Sequence, residues 1–230
     1  MKKAIILFII ISFTFHKLKA QESPNGFSLN RLEIGIEGGP DLAFQVGGYA
    51  SVFQNAPLIS FSTGCDGQYN FTHKFSINTG ILFEQKGNYS NTPVTDNRGA
   101  PIGEAIIDRN LYDYLVLPIL ARYSFTETSI FFIEGGPYFG FLLNHTDYLS
   151  IEGNGMPSLT VNNYTRQDNR FDVGASLGLG IGKQMAGRFR IEIEVRGNTG
   201  ITAIIPPTQV FSTGVYNESI GFLLGLRYKL

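Results

Sequence analysis

The chain has 230 residues and a formal net charge of −1, which argues against a basic surface of the kind that reads nucleic acid. Charged residues make up only 16%, while glycine contributes 27 residues and aromatic residues reach 13% without a tryptophan. This profile is closer to a glycine-rich β protein than to a soluble helical enzyme.

The N-terminus has the layout of a secretory signal peptide. Two lysines precede an apolar run over residues 4–15, which is too short to span a bilayer, and a polar stretch follows it to Ala20. We therefore expect a signal peptide over residues 1–20 and a short periplasmic segment over residues 21–30. The lone Cys65 leaves the exported chain without an internal disulfide.

Beyond the signal, eight segments alternate apolar and polar residues with a period of two, which predicts strands with two different faces. No internal stretch reaches the roughly 18 consecutive apolar residues of a transmembrane helix, so a membrane crossing would have to use strands. The predicted strands are 31–39, 58–71, 75–89, 111–125, 129–143, 171–183, 188–199 and 219–230.

The connections between these strands alternate in length. Three tight hairpin turns join strands two and three, four and five, and six and seven. The other four connections are long and rich in Asn, Thr, Pro and Gly. They cover residues 40–57, 90–110, 144–170 and 200–218. In a meander, the short turns then collect at one end and the long loops at the other, as in outer-membrane barrels. Both terminal strands end on the short-turn side, so we expect them to pair and close the barrel.

The two faces of the strands differ sharply in chemistry. One face carries Ile, Leu, Val, Phe and Tyr almost without charge. The other carries glycines, among them Gly174, Gly178, Gly180 and Gly182, and small residues of this kind make room inside an eight-stranded barrel. The charged residues on this inward face are Glu33, Glu37, Glu84, Lys86, Arg122, Glu134, Arg190, Glu192, Glu194, Arg196, Arg227 and Lys229.

The alternation of apolar and polar faces alone does not distinguish a soluble barrel from a membrane barrel. The strand lengths suit a tilted crossing of a hydrocarbon layer, and aromatic residues gather near the short turns, as in a membrane girdle. The sequence therefore predicts an all-β fold, an eight-stranded antiparallel up-and-down transmembrane β-barrel over residues 31–230, located in the bacterial outer membrane.

Five stretches of the sequence are similar to one known family. The stretches "INTGILFEQKGNYS", "YDYLVLPILARYSF", "IFFIEGGPYFGFLL", "FDVGASLGLGIGK" and "SIGFLLGLRYKL" resemble the PorT-like outer-membrane β-barrel family. The resemblance implies an eight-stranded, porin-like barrel, and its name-giving member is associated with protein secretion and maturation at the cell surface. The chain departs from a common outer-membrane pattern by ending on Leu230, with Tyr228 before it, instead of on Phe.

The near-equal numbers of inward acids and bases predict a salt-bridged, largely plugged lumen, because buried charges must be paired or solvated. A plugged lumen favours a structural or binding protein at the surface, and the resemblance to PorT-like barrels implies an association with secretion. The alternative is a narrow porin-like channel in which the same charges form a polar pore or a ligand site.

A second alternative is an enzyme at the barrel rim. His145, Asp147 and Ser150 in "NHTDYLS" follow the fifth strand and could supply a base and a nucleophile. No Cys/His metal spacing appears, and "GLGIGK" lies on a strand with no following helix, which excludes a phosphate loop. We therefore expect no catalytic activity, no metal and no cofactor.

The long loops offer the largest variable surface. The third loop carries apolar and aromatic residues that suit contact with a protein, a glycan or lipopolysaccharide, or that pack on each other as a loop hairpin. The expected partners are outer-membrane lipid and lipopolysaccharide, the barrel-insertion machinery and an extracellular or secretion-system protein, but not nucleic acid. The loop residues concerned are Tyr148, Leu149, Ile151, Met156, Leu159 and Tyr164.

Overall fold

The computed structural model describes residues 31–48, 55–125, 129–153, 158–185, 187–205 and 213–230. The predicted signal peptide (1–20) and periplasmic segment (21–30) lie outside this part of the chain. No helix in the described part is long and apolar enough to cross a membrane. The strands are β1 (Leu32–Val46), β2 (Asn55–Ala56), β3 (Leu58–Asn70), β4 (Phe75–Thr95), β5 (Pro101–Ser124), β6 (Ser129–Glu152), β7 (Ser158–Asn163), β8 (Phe171–Gln184), β9 (Phe189–Gly200) and β10 (Tyr216–Lys229).

Eight of these strands form a closed antiparallel ring. Around the ring the order is β1, β3, β4, β5, β6, β8, β9 and β10, and β10 pairs with β1 again. The closing register runs from Glu33 opposite Lys229 to Val46 opposite Tyr216. The predicted up-and-down barrel and its closure by the terminal strands are confirmed.

The two faces of the ring follow the predicted alternation. Leu177, Leu224 and Ile36 on the outer face expose 61%, 60% and 57% of their surface, whereas the polar residues between them are buried. Gly174, Gly178, Gly180 and Gly182 are buried on the inner face, where an added Cβ would meet interior side chains or strand backbone. The outside of the barrel is therefore apolar and its inside is polar.

The short turns are as predicted where the structure describes them. Thr72 N–H donates to the Phe75 carbonyl at 3.1 Å, and Met185 N–H donates to the Phe189 carbonyl at 2.8 Å. The remaining tight turn includes residues 126–128, which lie outside the described residues.

The first strand is longer than predicted. The alternation predicted an end at Gly39, but β1 continues to Val46. Its pairing with β10 skips Gly39 and Pro40 and resumes at Asp41 opposite Gly221. Because proline removes only one N–H donor, the strand can pair on both sides of Pro40, and the alternation of inward and outward side chains continues past it.

Two of the predicted loops are largely strand, which corrects the prediction. β4 and β5 stay paired as far as Thr95 opposite Pro101, and β6 pairs with β7 from Thr146 to Ile151. Both faces of these stretches lie beyond the barrel, so they lack the one-sided apolar pattern that marks a strand. We call this four-stranded extension, residues 87–95, 101–111, 144–152 and Ser158–Asn163, the projecting sheet.

A tight turn closes the tip of the projecting sheet. The Asp96 carboxylate accepts hydrogen bonds from the N–H groups of Arg98 and Ala100 at 2.8 and 2.9 Å. These bonds, with the one from Ala100 contributing most, hold the pKa of the Asp96 carboxyl below its usual range. Gly99 supplies the positive φ of 82° that the turn requires.

Candidate functional site

Eleven of the twelve predicted inward charges are buried in the lumen. The exception is Lys229, the last residue of β10, whose side chain is exposed. A side chain at the end of a strand reaches past the barrel wall into solvent, so the prediction that Lys229 belongs to the interior is wrong. The other eleven lie on six of the ring strands.

Arginines connect the walls on the short-turn side of the lumen. Arg122 on β5 donates from Nε to Glu134 on β6 at 2.6 Å and from Nη1 to Glu192 on β9 at 2.9 Å. Arg227 on β10 bonds the same Glu192 at 2.7 Å and also pairs with Asp66 on β3. The network therefore fixes the relative positions of strands that do not pair with one another.

Two further arginines extend this network. Arg196 reaches Glu37 at 2.7 Å, Glu194 at 2.8 Å and Glu134 at 3.2 Å. Arg190 reaches Glu33 at 2.6 Å and also contacts Glu192. Each buried arginine is thus shared between at least two carboxylates.

Lys86 forms a separate centre nearer the long loops. Its ammonium group lies 3.0 Å from Asp172 and 3.8 Å from Glu84, and it sits 4.2 Å from the centre of the Tyr138 ring. The Tyr114 ring lies on another side at 5.6 Å. The charge of this fully buried lysine is balanced by carboxylates and aromatic faces.

An apolar cluster closes the lumen at the long-loop end. Ile204 and Val215 come from the connection after β9, are 0% and 1% exposed, and join through the bond from Ile204 N–H to the Val215 carbonyl at 2.8 Å. They pack with interior side chains that include Tyr114 and Leu142. The described interior therefore has charge pairs in its body and apolar packing near its mouth.

The sequence analysis missed three buried acids of the lumen, Asp41, Asp66 and Asp172. Asp66 and Asp172 lie at the inward-facing, polar positions of predicted strands. Listing every charged residue at those positions would have found them. Asp41 was missed because the first strand was ended too early. The described interior holds nine carboxylates and five Lys or Arg side chains, so the predicted near-equality of acids and bases is wrong.

A repeated pentapeptide, "IEGGP", also went unnoticed. It occurs at residues 36–40 on β1 and at 133–137 on β6, which lie opposite each other in the ring. Its glutamates, Glu37 and Glu134, both bind Arg196. In each copy the second glycine allows close approach, because a Cβ on Gly39 would collide with the Phe222 carbonyl oxygen and one on Gly136 with that of Ile119.

The candidate catalytic trio does not converge. His145 is buried, stacks on Tyr112 with ring centres 3.8 Å apart, and pairs through Nδ1 with Asp168 instead of Asp147. Ser150 is an odd number of residues from His145 along β6, so it lies on the opposite face of the sheet. His145, Asp147 and Ser150 therefore do not form the arrangement that the rim-enzyme alternative required.

Within the described residues, no group of three or more His, Cys, Asp or Glu side chains is arranged to hold a metal ion.

The projecting sheet presents apolar side chains at its free edge. Within the described chain β7 pairs only with β6, and Leu159 and Val161 on it expose 66% and 54% of their surface. Ile151 and Ile106 on the neighbouring strands are also exposed. The loop hairpin expected as one alternative does form, but it leaves these residues accessible.

A family comparison explains the apolar exterior. Residues 19–205 match the family model described as outer membrane protein beta-barrel domain. The chain belongs to this family. It is accordingly a protein of the bacterial outer membrane, and its Ile, Leu and Phe rows face lipid.

Solved structures of this kind include several outer-membrane barrels. Neisserial surface protein A is 15% identical with a TM-score of 0.41, covering 90% of this chain and 100% of its own. Ail of Yersinia pestis, solved with the heparin analogue sucrose octasulfate, is 10% identical with a TM-score of 0.39 over 86% and 99%. The protease OmpT of Escherichia coli is 10% identical with a TM-score of 0.37 over 90% and 100%. No curated protein matches the sequence.

Proposed function

We propose that this outer-membrane barrel is a non-conducting surface protein that binds a protein partner through its projecting sheet, in support of secretion or attachment. The observation that carries the proposal is the edge strand β7, which has no second strand partner among the described residues and exposes the side chains of Leu159 and Val161. An edge of this kind can pair with an extended segment of another protein.

The composition of β7 favours binding at this edge. Its sequence, Ser158–Asn163, contains neither the charged residues nor the proline with which proteins usually protect an exposed edge. The barrel below holds the sheet on three long strands, so little ordering would be needed on binding. The resemblance to PorT-like barrels supports a partner from the secretion or maturation machinery. Outer-membrane lipid, lipopolysaccharide and the insertion machinery are the expected surroundings of the barrel.

Site-specific photo-crosslinking in the native outer membrane tests the binding surface. A benzoylphenylalanine at Leu159 should give one discrete protein adduct. The matched control is Ile102, which is 47% exposed on the same sheet but lies at the tip of β5, away from the free edge. Absence of an adduct at Leu159, or equal labelling at both positions, would contradict the proposal.

The porin alternative is tested separately. The paired charges of the lumen and the apolar packing of Ile204 and Val215 support a filled interior over a wide water-filled pore. The purified protein should therefore show no stable unitary steps in a planar bilayer. Reproducible steps would favour the narrow channel.

A further inference from the structure

Asp41 differs from the other buried carboxylates of the described lumen. Each of the other eight forms an ion pair with Lys or Arg. Asp41 forms none, although it is only 3% exposed, and its Oδ2 has no hydrogen-bond partner. Burying an ionised carboxylate without a partner is unfavourable, so a compensating group is expected beside it.

The surroundings of Asp41 contain room for such a group. Asp41 and Glu84 line one cavity of about 20 Å³, together with Ser62 and Asn198. A cavity of roughly 10–15 Å³ or more holds one water-sized guest. The cavity is thus large enough for a single small ion or water and too small for an organic ligand.

The charge balance indicates the sign of the guest. Lys86 already has two carboxylate partners, Glu84 and Asp172. Asp41 therefore adds a further negative charge to a region where acids exceed bases. Arg196 also lines the cavity, but Nε, Nη1 and Nη2 of its guanidinium all donate to Glu37, Glu134 or Glu194. No described cation is therefore available for Asp41.

We propose that this cavity binds one monovalent alkali cation of the size of Na⁺, ligated by carboxylate oxygens of Asp41 and Glu84 and by the Ser62 hydroxyl. Hard cations prefer oxygen ligands of this type. A monovalent ion balances the unpaired charge of Asp41, whereas Ca²⁺ takes 6–8 oxygen ligands, more than these side chains offer. The ion is a structural part of the barrel and is independent of partner binding at β7.

Thermal unfolding of the full mature barrel in detergent tests the site, with NaCl compared with choline chloride at equal ionic strength. A ligand that binds only the folded state raises the Tm with its concentration. We expect Na⁺ to raise the Tm of the unaltered protein in a saturable way and choline to have no such effect. Equal Tm values in both salts would overturn the proposal.

Two variants localise the effect. Asp41→Asn should remove the Na⁺-dependent rise in Tm, and the matched control Glu33→Gln, which alters an acid that pairs with Arg190 and does not line the cavity, should retain it. If Asp41→Asn does not fold, Ser62→Ala serves in its place and should weaken the Na⁺ response. Retention of the full response in Asp41→Asn would overturn the assignment, as would a stability that falls equally in both salts as pH rises, since a proton would then neutralise Asp41.

Discussion

Arg196 contacts carboxylates from three strands, Glu37 on β1, Glu134 on β6 and Glu194 on its own β9. A residue with this role is not an ordinary surface ion pair, because removing it leaves several buried charges uncompensated. The same holds for Arg122, which is 0% exposed and stacks over the Phe132 ring at 3.8 Å. Individual arginines therefore stabilise much of the side-chain arrangement in the lumen.

Arg122→Leu should destabilise the folded barrel by about 3–5 kcal/mol, the usual cost of removing one member of a buried pair. The physical reason is that Glu134 and Glu192 lose a shared partner in a site that water does not reach. Urea-dependent unfolding in lipid vesicles measures the change. Arg109→Leu is the control, since Arg109 is exposed and lies over the Tyr89 ring, and its effect should stay within about 0.5 kcal/mol.

Gly136→Ala tests the close approach of strands at the "IEGGP" repeat. The added Cβ would collide with the Ile119 carbonyl oxygen, so β5 and β6 would have to separate, at a cost of about 1–3 kcal/mol. Gly197→Ala is matched in size, but the nearest atom to its Cβ lies 3.9 Å away, and it should fold normally. Equal stability of the two variants in the same urea assay would show that the approach at Gly136 is not tight.

At the scale of elements, strands β4, β5 and β6 each belong to two parts of the structure. Their lower halves belong to the barrel wall, and their upper halves form the projecting sheet with β7. His145 marks the boundary, where its pairing with Asp168 and the bond from Tyr164 N–H to its carbonyl at 3.1 Å attach the segment after β7 to the sheet. The sheet is thus joined to the barrel by side chains as well as by strand continuity.

The projecting sheet should be more stable in acid. Burial, followed by the hydrogen bond and the charge of Asp147, raises the pKa of Asp108 to about 6 from an ordinary 3.8. The folded sheet therefore favours the protonated carboxyl, and this stabilisation is complete below the ordinary pKa and is lost as pH rises through about 6. Hydrogen-exchange protection of the upper β5–β6 amides, corrected for intrinsic rates, should be lower at ~pH 7.5 than at ~pH 5.

Asp147→Asn provides the control for this pH dependence. It keeps a polar side chain of the same size but removes the charge that opposes ionisation of Asp108. The difference in protection between the two pH values should shrink in this variant. An unchanged difference would mean that another group causes it.

At the scale of the whole molecule, the barrel combines an apolar exterior with a charged interior, the reverse of a soluble protein. Leu179 lies near the middle of β8 and is 50% exposed, whereas Phe189 stands at the start of β9 beside Tyr228, with ring centres 5.1 Å apart. Family membership assigns this exterior to the outer membrane. Depth in the hydrocarbon layer should then decide the cost of a charge on this face.

Leu179→Arg should cost about 2–4 kcal/mol, as expected for arginine at the bilayer midplane. Phe189→Arg, placed near the interface, should lose only about 0–1 kcal/mol from the charge itself. Unfolding in vesicles of defined thickness compares the two variants. Equal costs would argue against a hydrocarbon layer centred on the middle of the strands.

Much of the barrel could be predicted because strand faces depend on local alternation. Val173, Leu177 and Leu179 alternate with Asp172, Gly174 and Gly178 in the sequence itself, and closure of the ring requires only that each strand keep its face. The projecting sheet could not be predicted in this way. With both faces outside the barrel, residues 101–111 carry no one-sided pattern and resemble a loop.

The sequence by itself determined that the ring has eight strands, which side chains point inward over most of it and which end carries the long connections, since each follows from period-two alternation and turn length. Only the tertiary structure decided which charges meet. The register and tilt of a closed ring bring Glu37 and Glu134 to Arg196 from opposite walls, separate Ser150 from His145, and leave Asp41 without an ion pair. Those distances depend on strands far apart in the chain, and no local pattern encodes them.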